Sequence, residues 1–131
     1  MTLRDATGLP YIATAAESRR LDSGAIERFE MPGRLLMEVA GQGAARAILA
    51  RTGGQPAHGT VLCGPGNNGG DGYVVARLLL DAGWRIRCFS TVEPSQLAGD
   101  ARANCELFQA VGGSVEEMTL VEESSVPEAL E

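Results

Sequence analysis

Residues 59–72 read Gly59-Thr60-Val61-Leu62-Cys63-Gly64-Pro65-Gly66-Asn67-Asn68-Gly69-Gly70-Asp71-Gly72. Val61, Leu62 and Cys63 form a short apolar run between glycines, the pattern of a buried strand. Five of the nine residues from Gly64 to Gly72 are glycine, and an amphipathic stretch, Tyr73 to Leu80, follows directly. A strand, a glycine turn and a helix in that order bring bare backbone N–H groups to a helix N-terminus, where they can hold an anion. Glycine suits the turn because it accepts positive φ and lets a ligand approach the backbone.

Gly64-Pro65-Gly66-Asn67-Asn68-Gly69 satisfies the G-x-G-x-x-G dinucleotide pattern, which alone is weak. A Walker A loop requires a lysine after its last glycine. Gly70 and Asp71 stand there instead, and every one of the 11 basic residues is arginine, so a P-loop nucleotidase is excluded. Asp71 would repel a phosphate that no cation screens. Two asparagines and an aspartate favour hydroxyls, an amide or a hard cation, which takes oxygen ligands. Asp71 has a second reading, as the N-cap of the following helix.

Working outward, the spacing predicts alternating helices and strands. Thr14-Ala15-Ala16-Glu17 is a capping box opening a helix over about 15–29, with Leu21, Ala25, Ile26 and Phe29 on its apolar face. Tyr11 and Ile12 are expected to anchor the arm before it. Pro32 suits the first turn of a second helix reaching about Ala50, where Gly53-Gly54 stops it. Leu36, Ala40, Gly43 and Ala47 should form its packing stripe, flanked by Leu35, Val39 and Ile48. A third helix is expected over about 72–82, with Val74, Val75, Leu78 and Leu79 toward a sheet. A second strand is expected over 85–91, a fourth helix over about 96–111 and a short strand near 114–117. Alternation of this kind means βαβ units, a parallel sheet and right-handed crossovers. The order is then 3-2-1, with the first strand at an edge beside the position where doubly wound folds bind ligands. An open edge invites association, so a dimer or partner contact is expected there.

The totals limit the rest. The 131 residues carry a net charge of −6 and 44% hydrophobic content, which suits one modest domain. The charge, with no basic run, argues against nucleic acid and anionic membrane as partners. No apolar run is long enough to span a bilayer, and the N-terminus has no signal-peptide core, so a cytoplasmic location is expected. Cys63, Cys88 and Cys105 form no C-x-x-C, and Cys63 and Cys88 sit in apolar runs, where inert buried thiols are expected. His58 is the single histidine, which rules out a histidine metal cluster. Residues 116–131 hold six glutamates, and a flexible acidic tail is expected over 118–131.

Met31-Pro32-Gly33-Arg34-Leu35-Leu36-Met37-Glu38-Val39-Ala40-Gly41, the Gly64–Gly72 string and Gly99-Asp100-Ala101-Arg102-Ala103-Asn104 together resemble the YjeF N-terminal domain family, the NAD(P)H-hydrate epimerases. The resemblance runs from Tyr11 to about Val115. It implies an α/β fold with Rossmann-like αβα layers and a parallel sheet, of which 1–131 would be the N-terminal half, incomplete at its C-terminus. It implies epimerisation of the R and S forms of hydrated NADH or NADPH, a potassium ion, a homodimer, and a separate dehydratase that consumes the S form. Carried onto this sequence, Asn67, Asn68, Gly69, Gly70 and Asp71 would contact the substrate, and Asn68 would give an oxygen to potassium. The catalytic acid is expected beyond Glu131. Two other readings stand beside it. An NAD(P)-dependent oxidoreductase would require an acid about 20 residues past the loop, for which Glu93 is the candidate. A non-catalytic protein-binding module would need no site at all.

Overall fold

A computed structural model of the protein describes residues 12–118. The acidic tail expected over 118–131 therefore lies outside the described residues, apart from Met118. The chain divides into two compact units, Met1–Leu36 and Met37–Glu131.

The first unit carries helix α1, Ala15–Phe29. Its capping box forms as the sequence predicts: the Glu17 N–H donates to Thr14 Oγ1 at 3.3 Å, and the Thr14 N–H donates to Glu17 Oε2 at 2.8 Å. Glu30 ends the helix in the left-handed region, φ 52°. The expected apolar stripe exists but is not buried. Phe29 keeps 74% of its surface and Leu21 65%, and no residue of α1 is buried. Of the two expected anchors, Ile12 is 88% exposed, and Tyr11 lies outside the described residues. Periodicity identifies a face; it does not supply a partner for that face.

Helix α2, Gly33–Arg51, begins in the first unit and continues through the second, and Gly53 and Gly54 follow it with positive φ. Its buried residues are Met37, Gly41 and Ala45. The expected stripe of Leu36, Ala40, Gly43 and Ala47 lies to one side of that line, with Ala40, Gly43 and Ala47 exposed. Contact geometry decides the register. Gly41 lies directly against the Val74 side chain, an approach only a residue without Cβ allows.

The sheet contains β1 (His58–Cys63), β2 (Arg85–Ser90) and β3 (Val115–Glu117), all parallel, in the order β1-β2-β3. This is the 3-2-1 arrangement with β1 at the edge. Val61 pairs with Cys88, and Cys63 with Ser90. Helix α3, Asn67–Asp81, connects β1 to β2. A single 3-10 turn, Pro94–Gln96, and helix α4, Gly99–Ala110, connect β2 to β3. The fourth helix thus starts three residues later than the spacing suggests, because Pro94 favours a tight turn first.

One core lies between the sheet and the helices α3 and α4. Cys63, Tyr73, Ala76, Cys88, Leu97, Cys105 and Phe108 are buried together there. A second group, Val75, Leu79 and Trp84, receives Ile48 and Leu49 of α2. Tyr73, Ala76 and Leu80 of α3 pack into the first group. Val75 and Leu79 also reach the sheet as expected, since the second group includes Ile86 of β2, whereas Val74 lies against Gly41 of α2 and Leu78 joins neither group, which corrects the assignment of those two residues. On average, burying such side chains contributes about 2 kcal/mol each.

Candidate functional site

The candidate site is the corner between β1 and α3. β1 ends at Cys63, and Gly64, Pro65 and Gly66 make the turn. The helix then begins at Asn67, five residues earlier than sequence spacing predicts. Asn67, Asn68, Gly69 and Gly70 are thus the first turn of α3, not part of an irregular loop. The N-cap is Gly66, with no side-chain hydrogen bond to the helix. This excludes Asp71 as the cap: it stands in the second turn, half-buried.

The early start has a physical cause. Asparagine and glycine are poor helix interiors, but here close packing forces the backbone. A Cβ on Gly69 would strike the carbonyl of Gly64, so the first turn lies flat on the end of β1. A Cβ on Gly70 would come within 2.5 Å of the Met37 thioether sulfur and 3.2 Å of the Ala101 Cα. The turn is pinned on three sides, by β1, α2 and α4. Gly69 and Gly70 are buried, while Asn67 and Asn68 are exposed.

That arrangement leaves a defined chemistry. Gly70 N donates to Gly66 O at 3.1 Å, the first bond of the helical ladder. The amides before it have no intrahelical acceptor, and Gly66 offers no side chain to replace one. They sit at the positive end of the helix dipole, which favours an anion by about 0.3–1 kcal/mol in exposed settings. Two exposed carboxamides flank them as donors and acceptors.

The surroundings of the corner are polar but dry. Ser90, at the C-terminal end of β2, is fully buried and receives the Val92 N–H at 3.4 Å. The Tyr73 hydroxyl is buried beside Ser90 and Cys105 without a well-formed hydrogen bond to either. Burial is the main cause that pushes the Tyr73 phenol above its ordinary value. Cys63 and Cys88 face each other with sulfurs 3.8 Å apart. The Cys63 thiol is pushed up, first by its hydrogen bond with Cys88 and then by burial, and burial likewise raises Cys105. All three thiols are free and buried, as the sequence predicts for Cys63 and Cys88.

Asn104 was not assigned a role from sequence. It is 1% exposed, donates from Nδ2 to Asp100 O at 3.0 Å and to Met37 Sδ at 3.1 Å, and leaves Oδ1 without a partner. A buried amide is visible only once packing is known. Glu38 and Arg77 form an ion pair beside the same helices.

Other candidates fall away from the corner. His58 is exposed at the first residue of β1, the end of the strand opposite the turn. Glu93 is exposed, three residues beyond β2 at the start of the 3-10 turn. No group of three or more His, Cys, Asp or Glu side chains among the described residues is placed to hold a metal. No helix among them is long and apolar enough to cross a membrane.

Comparison with known proteins decides the family. The model for the YjeF-related protein N-terminus matches residues 33–129. The chain belongs to this family. It is 43% identical over 107 residues to a bifunctional NAD(P)H-hydrate repair enzyme of Moorella thermoacetica, covering 80% of this chain and 20% of that protein. It is 42% identical over 101 residues to an NAD(P)H-hydrate epimerase of Roseobacter litoralis, covering 73% of this chain and 44% of that one. The crystal structure of the yeast protein YNL200c superposes with a TM-score of 0.72 at 24% identity, over 82% of this chain and 47% of the yeast chain. That likeness bears out the α/β fold with its parallel sheet, as part of the YjeF N-terminal fold. The chain spans between a fifth and a half of the length of the curated relatives it matches.

Proposed function

We propose that this chain forms the nucleotide-gripping corner of an NAD(P)H-hydrate epimerase, which interconverts the R and S forms of hydrated NADH and NADPH. The observation that carries the reading is the first turn of α3. It has open amides, no side-chain cap and two exposed carboxamides, in a chain about 40% identical to proteins named for that activity. The amides of the turn receive the anionic linker of the nucleotide. Asn67 and Asn68 bond its hydroxyls and amide, and Asp71 accepts from a hydroxyl rather than meeting a phosphate. A dehydratase specific for the S form consumes the product.

Potassium fits here at one point only. The Asn68 carboxamide can give it one oxygen, but a hard cation takes about six or more. The described residues provide no clustered carboxylates, and the dipole at a helix N-terminus disfavours a cation.

The decisive experiment supplies R-hydrate together with an S-specific dehydratase and follows recovery of NADPH absorbance. Recovery faster than spontaneous epimerisation, and its loss in Asn68→Ala, is the expected outcome. A wild-type rate equal to the spontaneous one rejects epimerase activity for this chain. Hydride transfer to an NAD-linked substrate would instead favour the oxidoreductase reading, for which the exposed Glu93 is weak support. The homodimer belongs to the same proposal, with its contact along the β1 edge, since β1 pairs only with β2 among the described residues.

A further inference from the structure

We propose that Asn104 is a positioning residue for the anion-binding turn: its buried carboxamide holds the Met37 thioether against Gly70 and so fixes where the open amides of Asn67, Asn68 and Gly69 point. The proposal rests on the nucleotide-gripping reading of that turn, and its structural part can be tested without a ligand.

The chain of contacts is short and dry. Asn104 donates from Nδ2 to Met37 Sδ at 3.1 Å and to Asp100 O at 3.0 Å. The second bond ties the carboxamide to its own helix and fixes its rotation, so the first is aimed. Met37 is 6% exposed, and its sulfur lies where a Gly70 side chain would begin. Ala101, one turn before Asn104 in α4, has its Cα 3.2 Å from the same point. A methionine from α2 and the backbone of α4 together clamp the Cβ side of Gly70. Methionine is flexible about three bonds and fills gaps without specifying them. The directed N–H···S contact from Asn104 selects one of its conformations.

Packing alone does not account for an amide at this position. Asn104 is 1% exposed and its Oδ1 has no partner. A leucine has the same branching and would strand no acceptor, and unpaired buried acceptors are uncommon enough to require an explanation. Aiming the thioether is a task leucine cannot perform.

The test uses Asn104→Leu and Met37→Leu in this chain, read by amide hydrogen exchange and by calorimetric titration with NADP+. Asn104→Leu is expected to fold with a lowered Tm, since it loses two donated hydrogen bonds and adds bulk to a buried site. Its Gly70 amide, which is bonded to Gly66 O, should exchange at least tenfold faster, while the amides at 78–82, at the far end of α3, stay within twofold. Affinity for NADP+ should fall about tenfold. Met37→Leu, a volume-conserving change, should speed the Gly70 amide about threefold and add little to Asn104→Leu, because both break one clamp. Exchange of the Gly70 amide within twofold of wild type in Asn104→Leu overturns the proposal. If that variant does not fold, unchanged exchange in Met37→Leu overturns it instead. Wild type that fails to bind NADP+ counts against the nucleotide reading, and the exchange measurement still decides the clamp.

Discussion

The two faces of the sheet meet different surroundings. On one, Cys63, Cys88 and Ser90 are 0–1% exposed beneath Tyr73, Ala76 and Phe108. On the other, Leu62 keeps 63% of its surface, His58, Thr60, Arg85 and Arg87 are exposed, and the Arg87 guanidinium lies 4.8 Å above the Phe89 ring. Arg87 also pairs with Glu116 at 3.5 Å, an exposed contact worth little. All-parallel sheets usually bury both faces. The covered face is complete within these residues and holds the glycine corner in place. The open face is exposed, and at the free edge β1 pairs only with β2 among the described residues. Stability and ligand geometry should therefore depend on the covered face and hardly at all on the open one.

The sharpest test of that contrast is Phe108→Ala. Phe108 is fully buried and its ring fills the space beside Gly113. The change should cost about 4 kcal/mol, read as a lowered urea midpoint, and would leave a chain of this size near its unfolding threshold. A loss below about 1 kcal/mol would mean the covered face is not the core. Gly69→Ala comes next. The added methyl meets backbone, the Gly64 carbonyl, not a flexible side chain. Overpacking against a rigid group should cost about 3 kcal/mol, and nucleotide binding should vanish in whatever remains folded.

A third prediction uses the buried titrating groups of the covered face. Cys63, Cys105 and Tyr73 all have raised values in the folded chain. Such groups bind protons more tightly when folded, so the unfolded state loses its protons first as pH rises. Their contribution is complete below the unfolded thiol value of 9.0 and is lost as pH climbs above it. Cys63 and Cys105 should each remove about 1.4 kcal/mol per pH unit in that range, opposed by Cys88, whose hydrogen bond with Cys63 lowers its own value. Urea midpoints at pH 8, 9 and 10 measure the slope, and Cys105→Ala should flatten it. A midpoint unchanged from pH 8 to pH 10 would show that the thiols ionise freely in the native state.

What the sequence made legible followed from local rules, and what it hid depended on contacts. Thr14 and Glu17 announce the start of α1 because a capping box is satisfied within four residues. Gly53 and Gly54 announce an end because positive φ is a backbone matter. The order of strands followed from alternation alone. The start of α3 was missed because Asn67, Asn68, Gly69 and Gly70 are weak helix formers, and only the close approach to Gly64 and Met37 overrides that preference. The α2 stripe was missed for the same reason. Met37 and Gly41 are not the most hydrophobic choices, but they are the ones α3 and α4 touch. The family was readable as a string of letters, while the place of Asn104 beside Gly70, 34 residues earlier in sequence, was not.

The smallest expected effect lies on the open face, and it tests the comparison from its other side. Leu62 occupies the exposed side of the edge strand, between Val61 and Cys63, which point into the core. Leu62→Ser removes apolar surface that stays in contact with water in the folded chain, so stability should change by no more than about 0.5 kcal/mol. Association should respond more. A free edge with an exposed leucine can pair with another chain, so light scattering at rising concentration should show wild type self-associating and Leu62→Ser shifted toward monomer. If the substitution instead costs as much as a core change, that face is covered in solution and the contrast between the two faces is wrong. If wild type stays monomeric at all concentrations, the edge is not the dimer contact, and the covered face keeps its role unaided.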